Sequence, residues 1–188
     1  NQRMGSDVWY QGTADAVHQN QEVIKSFNCD YTIILAGDHI YKMNYAIALA
    51  HHVEHGRGCT VACVEVPKEQ ASGFGILHAS DDDVVTDFVE KPHDPPTLPN
   101  SPDRALASMG IYIFDTAFLL SELERDAMDP ASTHDFGRDL IPRLVREGRV
   151  VAHRFESSAV NRSTDAEPYW RDVGTLDSYW DANIDLTA

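Results

Sequence analysis

An α/β fold is predicted for this 188-residue chain by three observations. Short apolar runs bounded by glycine, proline or charge recur along it, among them Tyr31–Ala36, Cys59–Val66 and Met109–Phe114. Segments with apolar residues at helical spacing lie between those runs. The balance of 43% hydrophobic to 24% charged residues is that of a globular domain long enough for one sizeable core. Strands alternating with helices favour a sheet flanked by helices, with mostly parallel pairing.

Taken in order, Thr13 reads as the N-cap of a first helix that presents Ala14, Val17, Ile24 and Phe27 on one face. Tyr31–Ala36, rich in Ile and Leu and stopped by Gly37, reads as a buried strand. Asn44 caps a second helix, with Tyr45, Ala48, Leu49, His52 and Val53 at helical spacing and Gly56 or Gly58 as its stop. Cys59–Val66 is a strand closed by Pro67. Phe74–Ala79 and Val84–Val89 are two strands about the turn Asp81-Asp82-Asp83. Five prolines from Pro92 to Pro102 mark a long loop. Met109–Phe114 is another buried strand, followed by helices near Ala117–Arg125 and Asp139–Glu147. Val150–Phe155 is a strand, Val160–Pro168 a loop and Asp177–Leu186 a helix.

The formal net charge of −15 repels phosphate backbones, which excludes general nucleic-acid binding. A bound nucleotide would need a metal ion or local cations. Cys29, Cys59 and Cys63 form no CxxC pair, and their odd number favours a reducing, cytoplasmic compartment. No apolar run reaches transmembrane length, so no membrane partner is expected. The chain starts without methionine and stops as a helical pattern finishes, which reads as a piece of something longer.

Several residues are placed for chemistry. Asp38 stands just past the carboxyl end of a strand, where open α/β sheets bind ligands. It suits a divalent metal bridging phosphate oxygens, and equally a helix cap. Asp172 also precedes a glycine and a helix start, so it could share that metal or pair locally with Arg171. In Glu90-Lys91-Pro92 the proline biases Lys91 toward extended backbone at a strand end, where it can offer a point charge to a phosphate. Glu90 could accept hydroxyl hydrogen bonds from a sugar; a solvated Glu-Lys pair is the plainer reading. Gly73 and Gly75 permit close backbone approach, or simply a turn into a hairpin. His51 and His55 are four apart on the second helix and could share a metal, but no third ligand is evident and they read as helix surface.

Together these signals resemble one family. Trp9–Ala16 (WYQGTADA), Leu35–Tyr41 (LAGDHIY) and Phe88–Pro92 (FVEKP) are similar to motifs of the sugar-1-phosphate nucleotidylyltransferases. Ser108–Tyr112 (SMGIY), His134–Gly137 (HDFG) and Pro168–Thr175 (PYWRDVGT) narrow the resemblance to its ADP-glucose-forming branch in bacterial glycogen synthesis. The resemblance runs the length of the chain. It implies a Rossmann-like, GT-A-like nucleotidyltransferase fold with a mixed, mostly parallel sheet. Residues 1–188 would be a partial catalytic domain, without the family's glycine-rich N-terminal loop and strand and without its C-terminal β-helix domain.

The resemblance also implies a reaction, in which ATP and glucose 1-phosphate give ADP-glucose and pyrophosphate with Mg²⁺. By motif, Asp38 and Asp172 would hold the metal and Lys91 would contact the sugar phosphate, making these three the catalytic set. Tyr10, Gly75, Glu90 and Ser108 would bind the sugar phosphate, with Tyr112, Asp135, Phe136 and Trp170 contributing. The full-length protein would be a homotetramer. Where relatives carry an effector-binding arginine near the end of the first helix, Lys25 is the only cation of Val23–Phe27. The resemblance further implies that this chain alone lacks catalysis and is marginally stable or aggregating, with the Tyr31–Ala36 edge exposed. Three alternatives remain: another nucleotide or sugar, a non-catalytic regulatory homologue, and a glycosyltransferase whose only DxD pattern lies within Asp81–Asp83.

Overall fold

A computed structural model describes residues 9–160 and 168–187. Its spine is a 12-residue strand, β6 (Arg104–Asp115), almost wholly buried on both faces. β3 (Cys59–Pro67) lies antiparallel along one side of β6. On the other side β6 meets β4 (Gly75–Ala79) at Ala107 and β1 (Tyr31–Leu35) from Ile111 to Asp115. β5 (Val85–Glu90) extends the sheet from β4, and β7 (Val150–Arg154) extends it from β3. The mixed α/β class is as expected, but the strand directions are not. Only the β3–β7 pairing is parallel among the described residues. The reason is local: β4 and β5 form a hairpin, and β6 returns antiparallel between β3 and β4.

Two cores form because β3 and β6 are buried on both faces. Cys59, Val61, Cys63, Tyr112 and Phe114 pack on one face with side chains of α1 (Thr13–His18), α5 (Thr116–Ala127) and α6 (Ile141–Arg146). Ala62, Val64, Met109 and Ile111 pack on the other with Ala71, Phe155 and Trp170. Ala71 ends the short helix α4 (Lys68–Ala71), which the sequence reading missed. α3 (Tyr45–His55) joins the sheet through His52, whose Nδ1 is 2.8 Å from the Thr60 hydroxyl. Asn44 accepts from Ala46 N and Gly56 ends α3 in left-handed backbone, both as expected.

Four local expectations fail. The first helix breaks after His18 and resumes as α2 (Gln21–Ser26), leaving Phe27 76% exposed. Thr13 does not cap α1; its hydroxyl is drawn to a later turn, described below. β1 is an edge strand of half-buried residues, not a buried one, with Leu35 47% exposed. The helix placed at Asp139–Glu147 opens instead as a π-helical turn, Phe136–Leu140, before α6. Of the Val160–Pro168 loop, residues 161–167 lie outside the described residues.

The sequence reading also missed a two-stranded ribbon. β2 (His39–Tyr41) pairs antiparallel with β8 (Trp170–Asp172), placing His39 opposite Asp172. Beyond β8 runs α7 (Leu176–Asp185), opened by a Thr175–Ser178 capping box.

Candidate active site

The ribbon makes the site. β1 ends at Leu35, and Gly37-Asp38 turns the chain into β2. Val173 N donates to the Asp38 carbonyl at 2.9 Å, which locks that turn to the end of β8. Asp172 receives Gly174 N on Oδ1 at 2.8 Å. A Cβ at Gly174 would lie 3.0 Å from Asp172 Oδ1 and 3.7 Å from Asp38 Oδ2, so both carboxylates face one confined spot. One donor atom each from Asp38, His39 and Asp172 falls within 4.8 Å of the others. Two residues 134 positions apart in sequence are thus joined, as the family resemblance implied and their local pattern alone did not.

His39 was not anticipated. Its Nδ1 lies 2.7 Å from the Met109 carbonyl, which fixes that nitrogen as the donor and turns Nε2 to within 3.7 Å of Asp38 Oδ1. The only signal in the sequence was its position next to Asp38. A bulge brings β6 up to it. Between Ala62 and Cys63 the β3–β6 register shifts, and β6 accommodates the extra residues with Gly110 at φ +64°. Gly110 O accepts Ala36 N at 3.1 Å, tying the bulge to the end of β1.

Opposite the carboxylates, a cleft of about 170 Å³ is lined by Gly75, Glu90, Lys91, Ser108 and Tyr112 as well as Asp38 and Asp172. Seven of the expected residues therefore meet in one place. Glu90 is half-buried, and its carboxylate lies against two glycines. A Cβ at Gly75 would stand 2.9 Å from Glu90 Oε2, and one at Gly137 2.6 Å from it. Burial raises the Glu90 carboxyl; neighbouring Lys91 lowers it, Asp135 raises it and Arg138 lowers it. Tyr112 is buried, bonded to the Ser108 hydroxyl and stacked on Phe136 at 5.5 Å between ring centroids. Burial pushes its phenol up.

Lys91 departs from the backbone expected of it. It sits at φ +45° rather than extended, held by Lys91 N donating to Phe74 O at 3.1 Å. That conformation is strained for a lysine and is disfavoured again before proline. Its exposed side chain lines the cleft.

Four expected residues do not line this cleft. Asp135 is a cap: Oδ1 accepts Gly137 N at 2.9 Å and Arg138 N at 3.0 Å, and Oδ2 accepts the Thr13 hydroxyl at 2.9 Å. Phe136 lies in the core behind Tyr112. Trp170 is buried beside His39 and Phe74, at 5.4 and 5.2 Å between centroids, and so backs the site. Tyr10 accepts from Asn20 Nδ2 at 3.1 Å, at the α1–α2 junction.

The donor set decides what can bind. Asp38, Asp172 and Glu90 give the cleft three carboxylates against the one ammonium of Lys91. Such a field rejects phosphate unless a cation intervenes, and two carboxylates open to water are ligands for a hard divalent ion. The residues present therefore fit a divalent metal.

An α/β sheet whose cleft combines paired carboxylates, a strand-end lysine and close backbone approach defines a class of metal-dependent phosphoryl-transfer sites. The family model described as Nucleotidyl transferase matches residues 2–188, and the chain belongs to that family. The glucose-1-phosphate adenylyltransferase of Rhizobium etli strain CIAT 652 is 56% identical over 187 residues, covering 100% of this chain and 44% of that protein. That of Granulibacter bethesdensis is 59% identical over 186 residues, covering 99% of this chain and 45% of that protein. That of Bradyrhizobium diazoefficiens is 53% identical over 186 residues, covering 99% and 44%. The chain thus spans less than half the length of these relatives.

Proposed function

We propose that this chain forms the sugar-phosphate and metal-binding portion of a glucose-1-phosphate adenylyltransferase, which makes ADP-glucose for glycogen synthesis. The observation that carries the reading is the convergence of Asp38, Asp172, Lys91 and Glu90 on one cleft, together with relatives of that name over the whole chain. A phosphate oxygen of glucose 1-phosphate attacks the α-phosphorus of ATP. The new P–O bond forms as the bond to the β-phosphate oxygen breaks, and its electron pair leaves with pyrophosphate. Both reactants are anions, so positioning and charge neutralisation dominate the barrier. Mg²⁺ held by Asp38 and Asp172 would neutralise phosphate charge. Lys91 offers its ammonium to the sugar phosphate. Glu90 accepts from sugar hydroxyls, and the backbone at Gly75 lets the sugar lie close.

The reaction belongs to the cytoplasm and to a longer homotetrameric protein, with neither nucleic acid nor membrane as partner. The net charge of −15 supports the exclusion of nucleic acid, and no helix among the described residues is long and apolar enough to cross a membrane. The decisive experiment places these 188 residues in the Rhizobium etli relative in exchange for the matching segment. Mg²⁺-dependent ADP-glucose formation is expected, with UTP, GTP and dTTP poor substitutes. Asp38→Asn should lower kcat by about 100-fold or more. Unchanged turnover in that variant would mean a non-catalytic homologue, and preference for another nucleotide would move the chain to a different branch of the family.

A further inference from the structure

A second cluster of metal-ligating side chains lies on the far side of α3. His51 and His55 occupy successive turns of that helix, and the β4–β5 turn brings Asp83 to them. One donor atom from each lies within 4.8 Å of the other two. His51 Nε2 is 3.5 Å from Asp83 Oδ2. That is long for a hydrogen bond but close to the edge of a tetrahedron with metal–ligand distances of about 2.0–2.2 Å.

The arrangement is built rather than incidental. Asp83 is held by its own backbone: it sits at φ +58°, its N donates to Ser80 O at 3.0 Å, and its carbonyl accepts Ala152 N at 2.8 Å. The backbone that carries the carboxylate is thereby fixed to β7. His55 Nδ1 donates to the His51 carbonyl at 2.9 Å, which orients the ring and leaves Nε2 as the nitrogen available to a metal. The two rings lie 4.2 Å apart between centroids. His51 turns Nε2 toward Asp83, while its Nδ1 is buried with no hydrogen-bond partner. Arg154, which shares the adjoining cavity of about 320 Å³, is engaged by Glu65 at 3.3 Å.

The geometry points to a second metal site, distinct from the Asp38–Asp172 cleft, in which His51, His55 and Asp83 bind a borderline divalent transition metal, Zn²⁺ foremost. Two imidazoles and one carboxylate select Zn²⁺ or Co²⁺ over Mg²⁺. The adjoining cavity leaves the fourth position to water. Because the ligands come from α3 and from the turn anchored on β7, the ion would clip the helix to the β4–β5 hairpin.

The test is titration of the metal-stripped chimeric enzyme, and of the unsubstituted Rhizobium etli relative as its baseline, with CoCl₂ in excess MgCl₂, which saturates the carboxylate cleft. One equivalent of Co²⁺ should give the visible absorption of a tetrahedral nitrogen–oxygen site, and ZnCl₂ should bleach it. His55→Gln and Asp83→Asn should each weaken binding at least about tenfold. Zn²⁺ should raise the parent Tm but not theirs, while all three share one Tm in EDTA. Asp172→Asn should leave the absorption in place. Absorption that survives in His55→Gln, or disappears in Asp172→Asn, would overturn the proposal; so would octahedral absorption alone.

Discussion

Glu90 occupies a slot that two glycines leave open, and the slot makes a sharp prediction. Gly137 is buried at the start of the π-helical turn, and a methyl group there would stand 2.6 Å from Glu90 Oε2. Gly137→Ala must push the carboxylate out of the cleft. In the chimeric enzyme we expect kcat/KM for glucose 1-phosphate to fall roughly 10- to 100-fold, since misplacing a positioning group by an ångström has about that effect. Unaltered steady-state kinetics would remove Glu90 from the sugar site. Glu90 and Lys91 were legible as a motif at a strand end, but the glycine across from them was not, because Gly137 lies 47 positions away. Lys91 itself was misread. The rule for residues before proline gives extended backbone, whereas the Phe74 carbonyl holds Lys91 in left-handed backbone. A local rule lost there to a long-range hydrogen bond.

Among the elements, Thr13 shows why a cap could be recognised and still be assigned to the wrong helix. Its hydroxyl donates to Asp135 and accepts Phe136 N at 3.0 Å, so it closes the π-helical turn 122 residues away, not its own helix. Thr13→Val should cost about 1–3 kcal/mol, the penalty for leaving a buried donor and a carboxylate short of partners. Thr13→Ser should recover most of it. Both are readable as Tm shifts, and equal Tm for the valine variant would deny the hydroxyl this role. A stronger tie joins α5 to α6. Asp126 is 2% exposed; it accepts from the Ser132 hydroxyl at 2.8 Å, and its carboxylate lies 3.0 Å from His134 Nδ1 and 3.8 Å from Arg143. Asp126→Ala should destabilise by about 3–5 kcal/mol, because it strands partners in a buried network. Denaturant unfolding with a loss below 1 kcal/mol would contradict this. β3 and α5 were visible in the sequence through their length and apolar pattern, whereas of β6 only Met109–Phe114 was read and Arg104–Ser108 was missed. The β2–β8 ribbon was not: three residues per strand carry no periodicity, and their pairing spans the whole chain.

For the molecule as a whole, acidity and the sheet edge set the limits of stability. His153 is 2% exposed, and burial, reinforced by His51, pushes its pKa down to about 4 from an ordinary value near 6.5. Between those values the unfolded chain takes up a proton that the folded chain refuses. The stabilisation is therefore full above about pH 6.5 and is lost as pH falls toward 4, by roughly 3 kcal/mol at most. His153→Gln should flatten that part of the stability profile when measured in EDTA. The edge acts at any pH. β1 bonds β6 along one side, and its other side has no strand among the described residues. Leu35 on that edge is 47% exposed, and Phe27, Ile47 and Val53 on the neighbouring α2–α3 segments are also exposed. An apolar strand edge bearing no charge templates pairing with another copy. The chain made alone should therefore form assemblies at micromolar concentration, visible by light scattering. Leu35→Lys should shift the distribution toward monomer, because an edge lysine desolvates at high cost when strands pair. A parent chain that is monomeric and unfolds cooperatively at micromolar concentration would refute the argument. If Leu35→Lys left the assemblies intact, the association would have to run through another surface, and the exposed apolar residues of α7, Trp180 and Ile184, would be the next to substitute.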